Sequence, residues 1–132
     1  MLTITTKSPY AVRALSELAR RGEGQPVPIG ELARARDIPV QFLEGLFATL
    51  RRAGVLQSQR GVKGGYRFAR PPAEVTVLEV TELLDGELSA GTDELDAIWT
   101  EATDALKGVL RQTTIADIAE REAGAGSPMY YI

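Results

Sequence analysis

Apolar residues recur every three to four positions through most of the chain, and this spacing predicts a mainly helical protein. Ser8 and Pro9 predict the start of a first helix, as its N-cap and first helical residue, and Gly22 predicts its end. The segment 23–28 is predicted to be a loop, and a short second helix is predicted over 29–36. The chain is therefore expected to begin with two helices.

A third helix, which Pro39 opens and Gly54 ends, has a wide apolar stripe along one side. Its core-facing residues are predicted to be Phe42, Leu43, Leu46, Phe47 and Leu50. The other side carries Gln41, Glu44, Gly45, Ala48 and Arg52, with Arg51 beside them. Such a side suits the major groove of DNA, where polar side chains contact base edges and arginines contact phosphates. A plain solvent-exposed face is the alternative.

Two short strands, predicted over 55–60 and 66–69, enclose the glycine-rich segment 61–65. Glycines allow a tight hairpin turn, and Arg60 and Lys63 lie at its tip. Three helices followed by a hairpin are the order of a winged helix-turn-helix. The predicted fold class is therefore mainly α with a small β-wing. An arginine at the wing tip is able to enter the narrow minor groove of DNA, and a simple charged loop is the alternative.

The segment after residue 72 is predicted to be helical. A capping box at 76–79 starts a helix that ends near Asp85, and Thr114 and Asp117 cap a last short helix. A long helix between them, from about 92 to 110, has an apolar face. This face consists of Leu95, Ile98, Trp99, Ala102, Leu106 and Val109. A monomer this small would expose part of the face, which indicates a dimerisation helix. Packing on the chain's own winged part is the alternative.

These elements predict three parts: a DNA-binding domain over 1–72, a helical dimerisation region over 73–122, and a flexible linker and tail over 123–132. Charge follows the same division. Residues 1–73 contain twelve basic and five acidic residues, whereas residues 74–132 contain three basic and thirteen acidic ones. The asymmetry favours a polyanion as the partner of the first part, although charge alone leaves an ordinary solvated surface open.

The sequence has no cysteine and no histidine. Disulfides, thiol switches and iron–sulfur clusters are thereby excluded, and the commonest general base and metal ligand is missing. We therefore expect no enzyme activity, no metal and no cofactor. The chain also has no apolar run long enough for a membrane span and no signal-peptide core at its start, so we expect a cytoplasmic protein with no membrane partner.

Several motifs together resemble one bacterial family. They are Tyr-Ala-Val-Arg-Ala-Leu at 10–15, Phe-Leu-Glu at 42–44, Leu-Arg-Arg-Ala-Gly-Val-Leu at 50–56, Ser-Gln-Arg-Gly-Val-Lys-Gly-Gly-Tyr at 58–66 and Thr-Thr-Ile-Ala-Asp-Ile at 113–118. In this pattern the chain resembles the Rrf2 family of transcription regulators. The resemblance implies a homodimer that binds a palindromic operator.

Within that resemblance, the third helix contacts the major groove through Gln41, Glu44 and Gly45. The wing reaches the minor groove through Arg60, flanked by Ser58 and Gly61. Gly45 departs from the glutamine that the family often has there, so one readout contact of the family is absent at this position. Many members hold an iron–sulfur cluster on three cysteines before the long helix, but the segment 88–92 here is short and has none.

The chain is therefore more similar to the cluster-free branch that controls cysteine metabolism. Its end, with Tyr130, Tyr131 and Ile132, is similar to the aromatic tail of that branch. The resemblance implies that this tail binds the active site of O-acetylserine sulfhydrylase, although packing on the chain's own dimer stays open. The leading hypothesis is a repressor of cysteine or sulfur metabolism genes. An Rrf2-like regulator that senses another metabolite or a stress, and an interaction adaptor that has lost DNA binding, are the alternatives.

Overall fold

A computed structural model describes residues 4–22, 24–88 and 97–125. Within these ranges the chain forms six α-helices, one short 3-10 helix and two strands. The elements are α1 (Lys7–Arg20), α2 (Ile29–Arg36), α3 (Val40–Arg52), β1 (Leu56–Gln59), β2 (Gly65–Phe68), the 3-10 helix Pro72–Glu74, α4 (Val77–Asp85), α5 (Ala97–Gln112) and α6 (Ile115–Ala125). The predicted fold class, mainly α with a small β-wing, is confirmed.

The start of α1 differs from the prediction. The helix begins at Lys7, so Ser8 lies inside it and is not its N-cap. The buried hydroxyl of Ser8 donates instead to Oδ2 of Asp85, at 2.5 Å, and thereby ties α1 to the end of α4. An N-cap serine oxygen accepts from a backbone N–H, whereas the Ser8 hydroxyl here donates to a charged carboxylate. Hydrogen bonds to an ionised group are the stronger kind, so the tertiary contact outweighs the local signal. Gly22 follows the helix with φ 82°, as a helix-ending glycine should.

The turn between α2 and α3 is three residues long. Asp37 adopts the left-handed conformation (φ 54°, ψ 51°), which aspartate tolerates better than most residues. Ile38 is buried, and its N–H donates to the carbonyl of Ala33 at 2.9 Å. Pro39 then precedes α3. The turn is thus fixed both by backbone hydrogen bonding and by a buried side chain.

Strands β1 and β2 pair antiparallel, with Leu56 opposite Phe68 and Gln59 opposite Gly65. A third segment joins them, because Val27 and Tyr66 exchange two backbone hydrogen bonds of 2.9 and 2.8 Å. Residues 24–28 contain no helix or strand, in agreement with the predicted loop, but the prediction did not include the isolated bridge at Val27. The free backbone edge of β2 offers paired hydrogen bonds, which a short apolar segment takes up when it crosses that edge.

One hydrophobic core joins the parts of the chain before and after residue 72. Leu15 from α1 and Phe47 and Leu50 from α3 are fully buried together with Val75 and Ile115. The helices α4 and α6 both pack on α1. Residues after 72 therefore complete the same core, and a separate role for them in dimerisation stays a prediction.

Both predicted caps in the C-terminal part are present. The Glu79 N–H donates to Thr76 Oγ1 at 3.1 Å, and Thr114 and Asp117 exchange two backbone-to-side-chain hydrogen bonds of 3.0 Å. Helix α6 continues to Ala125, so the part of the predicted linker over 123–125 is helical and that prediction is wrong. Packing of α6 on α1 stabilises residues whose composition alone indicates a flexible segment. In the described ranges, each helix is too short or too polar to cross a bilayer.

Candidate nucleic-acid interface

The outer side of α3 is open to solvent. Leu43, Leu46, Phe47 and Leu50 are buried, as the apolar stripe predicts, whereas Phe42 is half-buried with its ring edge-on to Tyr10, the two centroids 5.6 Å apart. The residues predicted to face DNA are exposed along the opposite side: Gln41, Glu44, Gly45, Arg51 and Arg52. Ala48 is half-buried between them. The structure therefore places the predicted set on one continuous helix face.

Gly45 leaves a gap in this face. A Cβ added at Gly45 would have no protein atom within 4 Å, so nothing inside the fold requires glycine there. Glycine in a helix interior costs about 1 kcal/mol relative to alanine. The absent side chain leaves backbone exposed in the middle of the polar face, which allows another molecule to approach closely.

The wing is attached directly to α3. The rings of Phe47 and Tyr66 pack edge-to-face with their centroids 5.1 Å apart. The Val55 N–H donates to the Leu50 carbonyl at 3.0 Å, and the Ala69 N–H donates to the Val55 carbonyl at 2.9 Å. These contacts join the end of α3 to both strands, so the helix face and the wing keep a defined relative position.

Two glycines set the shape of the wing. A Cβ on Gly64 would lie 2.2 Å from the Gln59 carbonyl oxygen, and a Cβ on Gly65, whose φ is 151°, would lie 2.3 Å from the backbone of Val27. Real Cβ atoms do not approach backbone so closely, so neither position accepts another residue without a shift of the chain. The predicted glycine-rich hairpin therefore has a steric cause.

The predicted wing residues are all exposed: Ser58, Arg60, Gly61 and Lys63. Val62 between them is completely exposed, which the sequence reasoning did not single out. An apolar residue among glycines at a loop tip is the signal that was available for it. Val62 therefore adds an exposed apolar side chain to the tip that carries Arg60 and Lys63.

We call Arg51, Arg52, Arg60 and Lys63 the basic surface. Among the described residues, none of the four forms a salt bridge. The nearest polar contact of Arg52 is the neutral Thr49 hydroxyl, which accepts from Nη2 at 3.3 Å. Uncompensated positive charge at a helix end and a wing tip attracts an anionic partner.

Other arginines of the basic N-terminal part have carboxylate partners. We call Ser16, Glu17, Arg21, Glu31, Arg36 and Glu122 the α1–α6 ion-pair cluster. Arg36 donates to Glu122 through both terminal nitrogens at 2.7 Å and to Glu17 through Nε at 3.0 Å. Arg21 binds Glu17 and Glu31, and Ser16 donates to Glu122. The positive excess that the sequence shows is therefore only partly available to a polyanion.

The cluster shifts the titration of its carboxylates. Hydrogen bonds from Arg36 lower the pKa of Glu122 to about 2, and the Ser16 hydroxyl adds to this effect against partial burial. Burial raises the pKa of Glu17, but hydrogen bonds from Arg36 and Arg21 outweigh it and hold the pKa below its usual value. Arg36 and Glu122 are 86 positions apart, so no local sequence signal pointed to this pair.

The apolar face predicted for α5 is largely exposed. Ile98, Trp99 and Val109 are 60%, 61% and 63% exposed, Ala102 is exposed and Leu106 is half-buried. Leu95 lies outside the described residues. Large apolar side chains at this degree of exposure along one helix face are typical of a protein interface. The predicted tail residues Tyr130, Tyr131 and Ile132 also lie outside the described residues.

Comparison with known proteins identifies the family. The Rrf2 family model, described as an iron-dependent transcriptional regulator, matches residues 4–121. The chain belongs to the Rrf2 family of transcription regulators. An HTH-type transcriptional regulator of Mycobacterium tuberculosis is 34% identical to it over 131 residues, which cover 89% of this chain and 81% of that protein. The family consists of regulators and not of enzymes.

Solved structures of two family members share this fold. IscR of T. potens is 32% identical, with a TM-score of 0.85 over 98% of this chain and 97% of that one. CymR, the global cysteine regulator of B. subtilis, is also 32% identical, with a TM-score of 0.81 over 92% of this chain and 98% of that one. The winged helix-turn-helix is therefore the shared architecture.

The iron in the family description does not fit the donor atoms of this chain. Iron–sulfur clusters are held by thiolates, in some cases with imidazoles, and the sequence has neither cysteine nor histidine. Within 4–22, 24–88 and 97–125, the carboxylates form no group of three that could hold a metal ion either. No step of the chain's function is therefore assigned to iron.

Proposed function

We propose that a homodimer of this chain binds a palindromic DNA operator and represses the adjoining genes. The observation that carries the proposal is the basic surface, which adjoins the polar face of α3 and has no salt bridge to the described residues. Cations that the fold leaves uncompensated gain most from the phosphates of DNA, where binding releases counterions.

Each exposed residue has a distinct role in this proposal. Gln41 and Glu44 contact base edges in the major groove, since an amide pairs with adenine and a carboxylate accepts from cytosine. Gly45 allows the α3 backbone close to the DNA. Arg51 and Arg52 contact phosphates, which position the helix without selecting a sequence.

The wing supplies the second groove contact. Arg60 enters the minor groove, where the negative potential is strongest when the groove is narrow. Ser58, Gly61 and Lys63 contact the flanking backbone, with the exposed Val62 against the sugars. Gly64 and Gly65 hold the hairpin in the shape that presents these residues.

Helix α5 provides the two-fold interface. The exposed side chains of Ile98, Trp99 and Val109 favour a second copy of the chain as their cover, because a palindromic site requires two-fold symmetry in the protein. Ile98→Glu is expected to give monomers that bind half-sites poorly. A sedimentation mass that stays dimeric in this variant would contradict the assignment.

The experiment for DNA recognition starts from fragments of the source genome. The protein is mixed with the fragments at several salt concentrations, and the retained DNA is sequenced. We expect one palindromic motif, whose affinity falls steeply with salt. Salt-dependent retention without a motif would contradict sequence recognition, and no retention at any salt would favour an adaptor that has lost DNA binding.

We propose further that the regulated genes belong to cysteine or sulfur metabolism. The support is the similarity to the CymR structure, described as the global cysteine regulator, together with the chain's end at Tyr130, Tyr131 and Ile132. O-acetylserine sulfhydrylase is the proposed partner. Ile132 fills the substrate pocket of that enzyme, Tyr130 and Tyr131 pack at its entrance, and O-acetylserine competes for the site.

Calorimetric titration tests this partner. The source organism's sulfhydrylase is titrated with the full chain, with a chain that lacks Ile132, and with the full chain in the presence of O-acetylserine. Heat is expected from the first alone. Equal heats with and without Ile132, or no heat from either, would exclude the enzyme as partner and favour packing of the tail on its own dimer or a different signal. The DNA-binding proposal stands apart from that outcome.

A further inference from the structure

A cleft of about 390 Å³ lies at the base of the wing, on the side of α1 and away from the wing tip. Its apolar wall includes Leu18 from α1, Phe68 from β2 and Pro71. Its polar wall includes Gln25, Gln57 and Arg67. A cleft of this volume, with an apolar wall and a few convergent polar groups, is typical of a small-molecule site.

Arg67 is the residue that gives the cleft a chemical preference. It pairs across the strands with Gln57, and its Nε donates to the neutral Gln57 Oε1 at 3.2 Å. Among the described residues it has no salt bridge. Because only Nε of Arg67 is used in this contact, its two terminal nitrogens can donate to a bound anion. A carboxylate accepts two parallel hydrogen bonds from a guanidinium.

The neighbouring Arg70 also lines the cleft, but its guanidinium is already paired with a carboxylate. Its terminal nitrogens donate to both carboxylate oxygens of Glu79, at 2.6 and 2.9 Å, and to the Glu74 carbonyl at 2.8 Å. Among the described residues that line the cleft, Arg67 is therefore the one cation without a carboxylate partner. This favours a ligand with a single negative charge, such as a monocarboxylate, over a dicarboxylate.

We propose that this cleft binds a small amphipathic monocarboxylate, with the carboxylate on Arg67, a polar substituent between Gln25 and Gln57, and an apolar side chain against Leu18, Phe68 and Pro71. The volume accommodates an apolar part of about four to six carbons. Because Gln57 and Arg67 lie on the two strands that lead to Arg60 and Lys63, occupancy of the cleft changes the affinity for DNA by linkage. The ligand binds the dimer without DNA, so the site does not depend on the operator proposed above.

The test uses L-leucine and hexanoate as probes, with leucinamide and hexan-1-ol as matched compounds that lack the carboxylate. Two-dimensional ¹H–¹⁵N NMR of the full chain follows the side-chain signals of Gln57 and Arg67 during each titration. We expect saturable shifts with at least one of the two acids and none with the compounds that lack the carboxylate. Equal shifts with an acid and its matched compound, or no saturable shift with either acid, would overturn the proposal.

Variants then separate the ligand site from a DNA phosphate contact, the other possible source of an anion. Arg67→Met is expected to weaken binding of the acid at least about tenfold, Arg67→Lys by less, and the matched Arg34→Met not at all. DNA affinity without ligand should stay unchanged in Arg67→Met, and saturating acid should change it only in the parent chain. The assignment of an effector site would be overturned if Arg67→Met lost DNA affinity, or if the acid did not change the DNA affinity of the parent chain.

Discussion

Arg36 and Arg52 are the last residues of α2 and α3, the two helices of the helix-turn-helix pair, and their surroundings are opposite. The Arg36 side chain is 15% exposed and held by carboxylates from α1 and α6. Arg52 is exposed, and in the described part of the chain its side chain hydrogen-bonds only to the Thr49 hydroxyl. The same residue type at the same helix position is thus structural in one case and available to a partner in the other.

The difference lies in what packs beside each helix. Helix α6 returns to α1 and brings Glu122 to the end of α2, whereas the Arg52 side chain at the end of α3 is exposed. A partly buried ion pair contributes stability only when both partners are present, while an exposed cation contributes little to stability and much to the binding of an anion. Predictions that separate stability from DNA affinity therefore test the comparison.

The largest expected effect is on stability in Arg36→Met. The variant leaves Glu17 and Glu122 partly buried without their cation, so the free energy of unfolding should fall by about 2 kcal/mol. Urea denaturation measures it, with Arg52→Met as the matched control at the other helix end, where a change within about 0.5 kcal/mol is expected. Equal losses in the two variants would show that the cluster adds no stability.

Arg60→Ala should have the opposite signature. Loss of a minor-groove contact is expected to weaken operator binding by about 1–3 kcal/mol, with the urea midpoint unchanged because Arg60 is exposed and contributes no salt bridge among the described residues. Fluorescence anisotropy with a labelled operator measures the affinity. Arg121→Ala, an exposed arginine of α6, is the control. If Arg60→Ala binds the operator with the affinity of the parent, the assignment of the wing to the DNA interface is wrong.

Acid should weaken the ion-pair cluster. The folded-state pKa values of Glu122 and Glu17 are below the usual 4.5, so the stability they contribute is complete above about pH 4.5 and is lost as the pH falls toward about 2. Denaturation at pH 6 and pH 3 should show this loss in the parent and a smaller one in Glu122→Gln. Glu120→Gln, at an exposed position of the same helix, should behave as the parent does.

Gly45→Ala separates the same two properties within one helix. A Cβ there meets no protein atom within 4 Å, so the free energy of unfolding should rise by about 0.5–1 kcal/mol. If the α3 backbone approaches DNA closely, operator affinity should fall in the same variant. Gly108→Ala in α5, where a Cβ also has open space, should raise stability and leave DNA affinity alone. Parental DNA affinity in Gly45→Ala would contradict the close approach.

The smallest effect is expected for Arg52→Met on DNA. A phosphate contact carries no sequence information, so affinity should weaken alike for operator and unrelated DNA. The slope of log affinity against log salt should become less steep by about one unit. A loss confined to the operator would instead assign Arg52 to a base contact.

Much of the fold and of the candidate site followed from local sequence patterns. The apolar stripe of α3, the caps at Thr76 and Thr114, and the glycine hairpin were predicted because each depends on residues within about one helical turn or one hairpin of each other. Exposure of the α3 polar face and of the wing tip followed from the same patterns. The roles of these residues in DNA binding, and of Leu95 and the tail beyond 125, stay predictions.

Contacts between distant segments decided the rest. Ser8 hydrogen-bonds to Asp85 and does not cap α1, Val27 pairs with Tyr66 of β2, and α6 includes residues 123–125. Each of these features depends on a hydrogen bond or a packing contact with a segment far along the chain. The sequence by itself determined which helices form, which faces they bury and that positive charge gathers in the first half. Only the tertiary structure decided which arginines remain available to bind an anionic partner. A carboxylate 86 positions away pairs with Arg36, whereas no carboxylate pairs with Arg52 within the described residues.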